Sequence, residues 1–217
     1  MSCKPYEIMT CTEIREILHR RASGEQELLD AILEVDVASL YYHTHSYYLQ
    51  EKYYHDRYPN DFATWVADQV RDRVLSERLS VLDLFTIKNL ESLRWELCYI
   101  IESHIDAIGY SPRALLGDPF EFVRSHDVVL PSGLVLRNAS DLRKAIETMS
   151  VDSLYYHFFK DVFGRGLHLG SLVQWVLEDL RDERTGKLLA DVNPYKLHSD
   201  RLRSELLRTL DSVGGKS

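Results

Sequence analysis

Cysteine is scarce in this chain, and the little there is excludes two classes of fold. Cys3, Cys11 and Cys98 are an odd number without C-x-x-C spacing. That is neither a disulfide framework nor a zinc knuckle, and it suits a reducing compartment. Long apolar runs are missing too. No stretch approaches the roughly 20 apolar residues of a membrane span, and Met1-Ser2-Cys3-Lys4-Pro5 does not begin a signal peptide. An excess of positive charge is also absent: 26 Lys and Arg stand against 34 Asp and Glu, a net −8. The basic residues are interleaved with acids, as in Arg71-Asp72-Arg73 and Arg181-Asp182-Glu183-Arg184, whereas phosphate backbones require clustered Lys and Arg. The expectation is a soluble cytoplasmic protein with neither nucleic acid nor membrane as partner. Motifs for nucleotide, dinucleotide or structural zinc binding are lacking. The terminal Gly214-Gly215-Lys216-Ser217 has no following helix, so it is not a P-loop, and this tail is expected to be disordered.

What the 217 residues do contain is a pattern that recurs. Ser39-Leu40-Tyr41-Tyr42-His43 returns 114 residues later as Ser153-Leu154-Tyr155-Tyr156-His157. The same spacing holds, without a gap, back to Pro5-Tyr6-Glu7-Ile8 and Pro119-Phe120-Glu121-Phe122. Leu28, Ala31, Ile32 and Val37 match Leu142, Ala145, Ile146 and Val151 on the way. Farther on the spacing shortens to 110, where Trp65-Val66 and Arg71-Asp72 match Trp175-Val176 and Arg181-Asp182. It then becomes 109, where Leu93-Arg94 and Glu96-Leu97 match Leu202-Arg203 and Glu205-Leu206. The chain reads as a duplication: one copy over residues 5–105, a Gly- and Pro-bearing linker over 106–118, and a second copy over 119–213, packed together as one globular unit.

The duplication gives two readings of each helix start. Asp36 aligns with Ser150, and Asp61 with Ser171, all good N-cap residues; Ser171 and Gln174 have capping-box spacing. Apolar stripes at helical spacing follow both caps in both copies, with Trp65 and Trp175 as core anchors. The pattern predicts a helix before the caps (27–35 and 141–149), the Tyr-Tyr-His helix, the Trp helix, and a closing helix (89–104 and 199–211). One region differs between copies. Asp127 to Leu136 carries β-branched runs around Pro131-Ser132-Gly133, a hairpin signal, whereas the aligned Thr12 to Leu18 reads as a helix behind a threonine cap. The predicted fold class is therefore mainly α: a tandem duplication of a small helical module, pseudo-twofold, with a short β element in at least the second copy.

Chemistry concentrates in the Tyr- and His-rich stretch that holds Tyr41, Tyr42, His43, His45, Tyr47, Tyr48, Tyr53, Tyr54, His55 and Tyr58. Imidazole and carboxylate suit Zn, Fe or Mn, and His43, His45, His55, Asp56 and Asp61 lie near one another in sequence. Two histidines two apart on a helix diverge by roughly 200°, so His43 and His45 cannot share an ion. The second copy has Phe159 at the His45 position and, in the corresponding stretch, otherwise offers only His168 beside His157. A metal, if one binds, would join His43 to His157. Ser39/His43 and Ser153/His157 share a helix face, but no oxyanion hole or orienting residue accompanies them, so nucleophilic catalysis is disfavoured. Tyr42 and Tyr156 lie off the apolar stripe and are the candidates for stacking on a ligand. Asn60 and Asp61 serve either as ligand contacts or as a helix cap.

Pro5-Tyr-Glu-Ile, Ser39-Leu-Tyr-Tyr-His43, Tyr58-Pro-Asn-Asp-Phe-Ala-Thr-Trp65 and Leu93-Arg94 together resemble an uncharacterised bacterial and archaeal family, a domain of unknown function. Its hallmark is a Tyr-His motif followed by Asn-Asp-Phe-x-x-Trp, often in tandem. The resemblance covers nearly the whole chain and implies no cofactor, substrate or catalytic residue. The second copy departs from it, with Gly170-Ser171-Leu172 where the first has Asn60-Asp61-Phe62. The functional expectation is a non-catalytic binding or regulatory module. It would present Tyr42, His43, His45, Asn60, Asp61, Tyr156 and His157, in a groove between repeats, to a small polar ligand or a protein. The alternatives are a hydrolase-like metal-dependent enzyme using His43 and His157, and a structural adaptor.

Overall fold

The computed structural model describes residues 4–45, 58–87, 89–115, 117–161, 170–194, 197 and 199–214. Tyr47, Tyr48, Tyr53, Tyr54, His55, Asp56, His168, Cys3 and the tail from Gly215 lie outside the described residues. Among the described residues, a strand β1 (Tyr6–Ala22) precedes five helices: α1 (Glu25–Glu34), α2 (Val37–His45), α3 (Asp61–Trp65), α4 (Arg73–Ser80) and α5 (Leu90–Ile108). A second strand, β2 (Phe120–Leu136), precedes five more: α6 (Ala139–Thr148), α7 (Val151–Tyr155), α8 (Ser171–Glu178), α9 (Glu183–Ala190) and α10 (Ser199–Gly214). Short π-helical turns, Val66–Val70 and Tyr156–Lys160, extend α3 and α7. No helix among the described residues is long and apolar enough to cross a membrane.

The strands overturn the expected fold class. β1 and β2 are 17 residues each and pair antiparallel in one two-stranded sheet. The fold is α/β, helices with a long β-ribbon, and not a duplicated helical module carrying a short β element. Thr12 to Leu18, predicted as helix, is strand. Its apolar spacing mimics a helix, yet Ile14 and Ile17 stay exposed, and pairing with a remote strand overrides local propensity. Charge pairs tie the strands: Glu16 Oε2 accepts from Arg124 Nη2 at 2.8 Å and meets His126 Nε2 at 2.8 Å, and Arg21 Nη2 donates to Glu121 at 2.7 Å. The predicted hairpin at Pro131-Ser132-Gly133 is likewise absent. β2 runs straight through it, with Gly133 taking φ 81. Proline is tolerated there because each strand of a two-stranded ribbon is an edge strand with one unpaired side.

Two compact units result. The central unit is Glu13–His126; the composite unit combines Met1–Thr12 with Asp127–Ser217. Both strands are divided between them. The central unit therefore holds α1–α5 and the start of β2, and the composite unit holds α6–α10 and the start of β1. Phe120 and Phe122, from β2, are buried in the central unit with Phe62, Leu40 and Leu93; ring centroids of Phe62 and Phe120 lie 5.1 Å apart. In the composite unit, Tyr6 from β1 stacks obliquely on Trp175 at 5.6 Å. The indoles of Trp65 and Trp175, both buried as expected, donate to backbone carbonyls just before each strand, Asp118 at 2.8 Å and Lys4 at 2.7 Å.

Helix ends explain much of the remaining pattern. Asn138, Ser150 and Asn89 cap α6, α7 and α5 with their side chains, and Asp36 Oδ1 accepts from Ala38 N at 2.8 Å. The second expected pair of caps is displaced by one residue. Asn60, not Asp61, caps α3, and Gly170, which has no side chain to offer, stands at the start of α8 in place of Ser171. Arg71 and Arg181 adopt left-handed φ of 66 and 56, closing one helical segment so that Asp72 and Asp182 can cap α4 and α9. The recurring Leu-Arg pairs also have a structural reason. Arg94 donates to the last carbonyls of α1, Ile32, Leu33 (3.1 Å) and Val35 (3.0 Å), while Arg203 does the same for α6 at Ile146 and Met149 (2.8 Å). One guanidinium thus satisfies carbonyls that a helix C-terminus leaves orphaned. Arg94→Met and Arg203→Met should each cost about 2 kcal/mol in urea unfolding, the range for hydrogen bonds from a charged donor. A loss below ~0.5 kcal/mol, the level of an ordinary surface change, would show these bonds to be incidental.

Candidate functional site

Ser39 and His43 lie four residues apart on α2, so they share one helix face, and that face meets the first residues of β2. Ser39 Oγ donates to the Val123 carbonyl at 2.7 Å, and His43 Nε2 accepts the Val123 N–H at 3.0 Å. Both backbone groups of one strand residue are thereby satisfied by one helix. A ring nitrogen that accepts carries no hydrogen, so the neutral imidazole bears its proton on Nδ1, which donates to Asp61 Oδ2 at 2.8 Å. The composite unit repeats the arrangement with other chemistry. His157 Nε2 accepts the Met9 N–H at 3.0 Å, and Nδ1 faces the Tyr6 hydroxyl at 3.2 Å, which reaches Ser171 Oγ at 2.6 Å. Where the central unit has a phenylalanine on the strand (Phe120) and an acid on the helix (Asp61), the composite unit has a tyrosine (Tyr6) and a serine (Ser171). Each pair supplies one polar partner for the histidine.

Of the residues singled out from sequence, the fold brings His43 and Asp61 into contact and places His157 in the other unit. His45 is fully buried, stacks on Tyr41 at 4.2 Å and meets Thr44 Oγ1 through Nδ1 at 2.7 Å. Asn60 is buried and spent on structure: Oδ1 accepts from Ala63 N and Nδ2 donates to the Leu79 carbonyl. Tyr42 is buried, with the Arg15 guanidinium over its ring at 5.5 Å. Tyr156 is half-buried, edge-on to His157 at 5.0 Å. All four ring nitrogens of His43 and His157 have protein partners within their own unit.

The open space lies elsewhere. In the central unit a cleft of about 660 Å³ is lined by Arg78 on α4, by Leu82, Asp83 and Thr86 from the following loop, and by Ser92, Glu96 and Ile100 on α5. Trp95 and Tyr99, each 65% exposed, form the next stripe of α5, three residues from Ser92 and Glu96. Among the described residues, the side chains that gather as metal ligands do are Glu25, Asp72 and His104, whose donor atoms lie within 4.8 Å of one another. Burial, with the Asp72 charge adding to it, pushes the Glu25 carboxyl up to about 8. Neither was evident from sequence: the cluster's residues are widely separated, and the cleft exists only where α4, the loop after it and α5 pack together. The available signal was asymmetry between aligned positions: Trp95, Tyr99, Glu25 and His104 correspond to Ser204, Arg208, Ala139 and Val213.

The chain belongs to a family of unknown function, DUF5752, whose model matches residues 3–212. No curated protein matches the sequence. Among solved structures, OrfY from Thermoproteus tenax is similar over 99% of this chain and 98% of its own, with 22% identity and a TM-score of 0.85. At that identity the likeness speaks for the fold.

Burial pushes the His157 imidazole down to about 4, against the pull of the Asp161 charge. The unfolded chain takes up that proton near the ordinary value of 6.5, while the folded state refuses it until about 4. Stability is therefore lost as pH falls through this window, by roughly 3 kcal/mol in full. Urea titrations from pH 7 to pH 4 should show a steeper acid decline for the parent than for His157→Gln; equal slopes would mean that His157 is not held neutral.

Proposed function

We propose that this member of the family is a binding module whose recognition surface is the α4–α5 cleft of the central unit. Its ligand is a small polar molecule with a flat or apolar face. The polar lining, Arg78, Asp83, Thr86, Ser92 and Glu96, supplies donors and acceptors of both signs, and Ile100 with Leu82 supplies an apolar wall. The observation that carries the reading is the exposure of Trp95 and Tyr99 on α5. Large apolar side chains left in water are the informative exceptions on a protein surface. A purely structural role does not call for them, since α10 carries Ser204 and Arg208 at the aligned positions. The Ser-Leu-Tyr-Tyr-His residues of α2 support the reading indirectly: Ser39 and His43 hold Val123 of β2 in the central unit, and Asp61 with His43 braces the start of α3.

Trp65 and Trp175 are buried, so Trp95 is the exposed indole of the three. Thermal-shift screening of sugars, nucleotides and amino acids is expected to yield a ligand that raises the melting temperature and changes Trp95 fluorescence. Trp95→Ala should weaken that ligand roughly 2- to 10-fold, the equivalent of about 0.5–1.5 kcal/mol for one aromatic contact. A stabilising ligand that binds Trp95→Ala as tightly as the parent would place recognition elsewhere.

A further inference from the structure

Glu25, Asp72 and His104 come from three elements of the central unit, and none of them lines the cleft. Glu25 opens α1, Asp72 caps α4, and His104 lies one turn before the end of α5. Asp72 Oδ2 is 2.9 Å from His104 Nε2, and Glu25 Oε2 is 4.0 Å from the same nitrogen. Glu25 is fully buried, and neither of its carboxylate oxygens has a hydrogen-bond partner. A buried carboxylate left in that state, beside a second carboxylate, works against folding.

The aligned positions show that the fold does not need this arrangement. Asp182 caps α9 as Asp72 caps α4, with Oδ1 accepting from Thr185 N at 3.0 Å and Oδ2 from Thr185 Oγ1 at 2.6 Å. Yet Ala139 and Val213 stand where Glu25 and His104 would be. The cap requires neither the glutamate nor the histidine: in the other unit Ala139 is exposed and Val213 half-buried. Glu25 and His104 are thus additions to the central unit that its architecture leaves unexplained.

We infer that Glu25, Asp72 and His104 are the seat of a divalent cation of the Mn, Fe, Co or Zn class. One imidazole nitrogen with two carboxylate oxygens is the donor set those ions take, whereas Mg and Ca prefer oxygen alone. Metal–ligand bonds of about 2.1 Å place neighbouring donors about 3.0–3.5 Å apart. The separations of 2.9 and 4.0 Å bracket that range, so small side-chain adjustments close the site. Asp72 Oδ1 remains engaged with Leu75 N at 2.8 Å, which leaves Oδ2 as its single ligand atom. On binding, His104 presents a bare Nε2 with its hydrogen on Nδ1, any further proton on the ring and the proton on Glu25 leave to solvent, and the orphaned Glu25 oxygens gain a partner. The Asp72 side chain is 16% exposed, against 4% for His104 and 0% for Glu25. The cation therefore enters past Asp72, and water completes its coordination there.

The test uses the full chain, demetallated and titrated with Co²⁺, Zn²⁺, Mn²⁺, Mg²⁺ and Ca²⁺ by calorimetry, with the visible absorption of bound Co²⁺ as a second readout. One equivalent of Co²⁺ per chain is expected. Its affinity should fall at least ~10-fold in both Glu25→Gln and His104→Gln and be unchanged in Asp182→Asn. Absence of saturable binding by the parent, affinity unaltered in both variants, or Mg²⁺ and Ca²⁺ binding as tightly as Co²⁺ would overturn the inference. Should the variants not fold, anomalous scattering from cobalt-soaked crystals of the unaltered chain decides: a peak among the three side chains supports the seat, and its absence there overturns it. Melting-temperature shifts with the cleft ligand are read separately, so either site can fail without the other.

Discussion

A neutral imidazole accepting a strand amide is the interaction on which both units are built. An extended segment leading into a ribbon has an N–H that the other strand does not satisfy, and burying it unpaired would cost about as much as a full hydrogen bond. His43 answers Val123, and His157 answers Met9. Because each ring must keep one nitrogen bare, the other must hold the proton and find an acceptor, and the neighbouring polar groups follow from that demand. The aromatic residues packed around His43, Phe62, Phe120 and Phe122, exclude water and make the bond count for more.

This explains why Ser-Leu-Tyr-Tyr-His is the best-preserved stretch between the two halves without appeal to a ligand. Leu40 and Tyr41 fill the core, Ser39 and His43 grip one strand residue, and Arg94 finishes the preceding helix. Preservation here reports a fastening. The halves differ at positions that this fastening does not involve, α5 against α10 and Glu25 against Ala139, and the proposed recognition surface and cation seat rest on those differences.

Helix positions were largely legible in the sequence: Ser150 and Asp36 mark helix starts, and the predicted 27–35 and 141–149 helices appear as Glu25–Glu34 and Ala139–Thr148. The strands were not. Ile14, Ile17 and Leu18 have helical spacing, and only the partner strand, more than a hundred residues away, makes them extended; local pattern holds no record of it. Pro131 and Gly133 signalled a turn because in most contexts they make one, whereas a two-stranded ribbon imposes no ladder on its outer side. The role of the Tyr-Tyr-His residues is not legible for a related reason. Tyrosine and histidine are amphipathic, so composition alone does not separate a binding face from a buried fastening with satisfied polar tips. The assembly of Glu25, Asp72 and His104 depends on tertiary closure, which spacing cannot show.

The division of the chain between the units bears on how it is made. Tyr6 to Thr12 leaves the ribosome more than a hundred residues ahead of its partners, His157, Ser171 and Trp175. The central unit is complete once His126 has emerged, while the segment ahead of it must wait with Ile8 and Cys11 unburied. Vectorial synthesis therefore favours an inside-first order, with the composite unit closing later over a loop of more than a hundred residues. Through that interval the leading strand is an open edge, and its charged residues, Glu7 and Glu13 among them, are placed to discourage premature pairing with a neighbouring nascent chain.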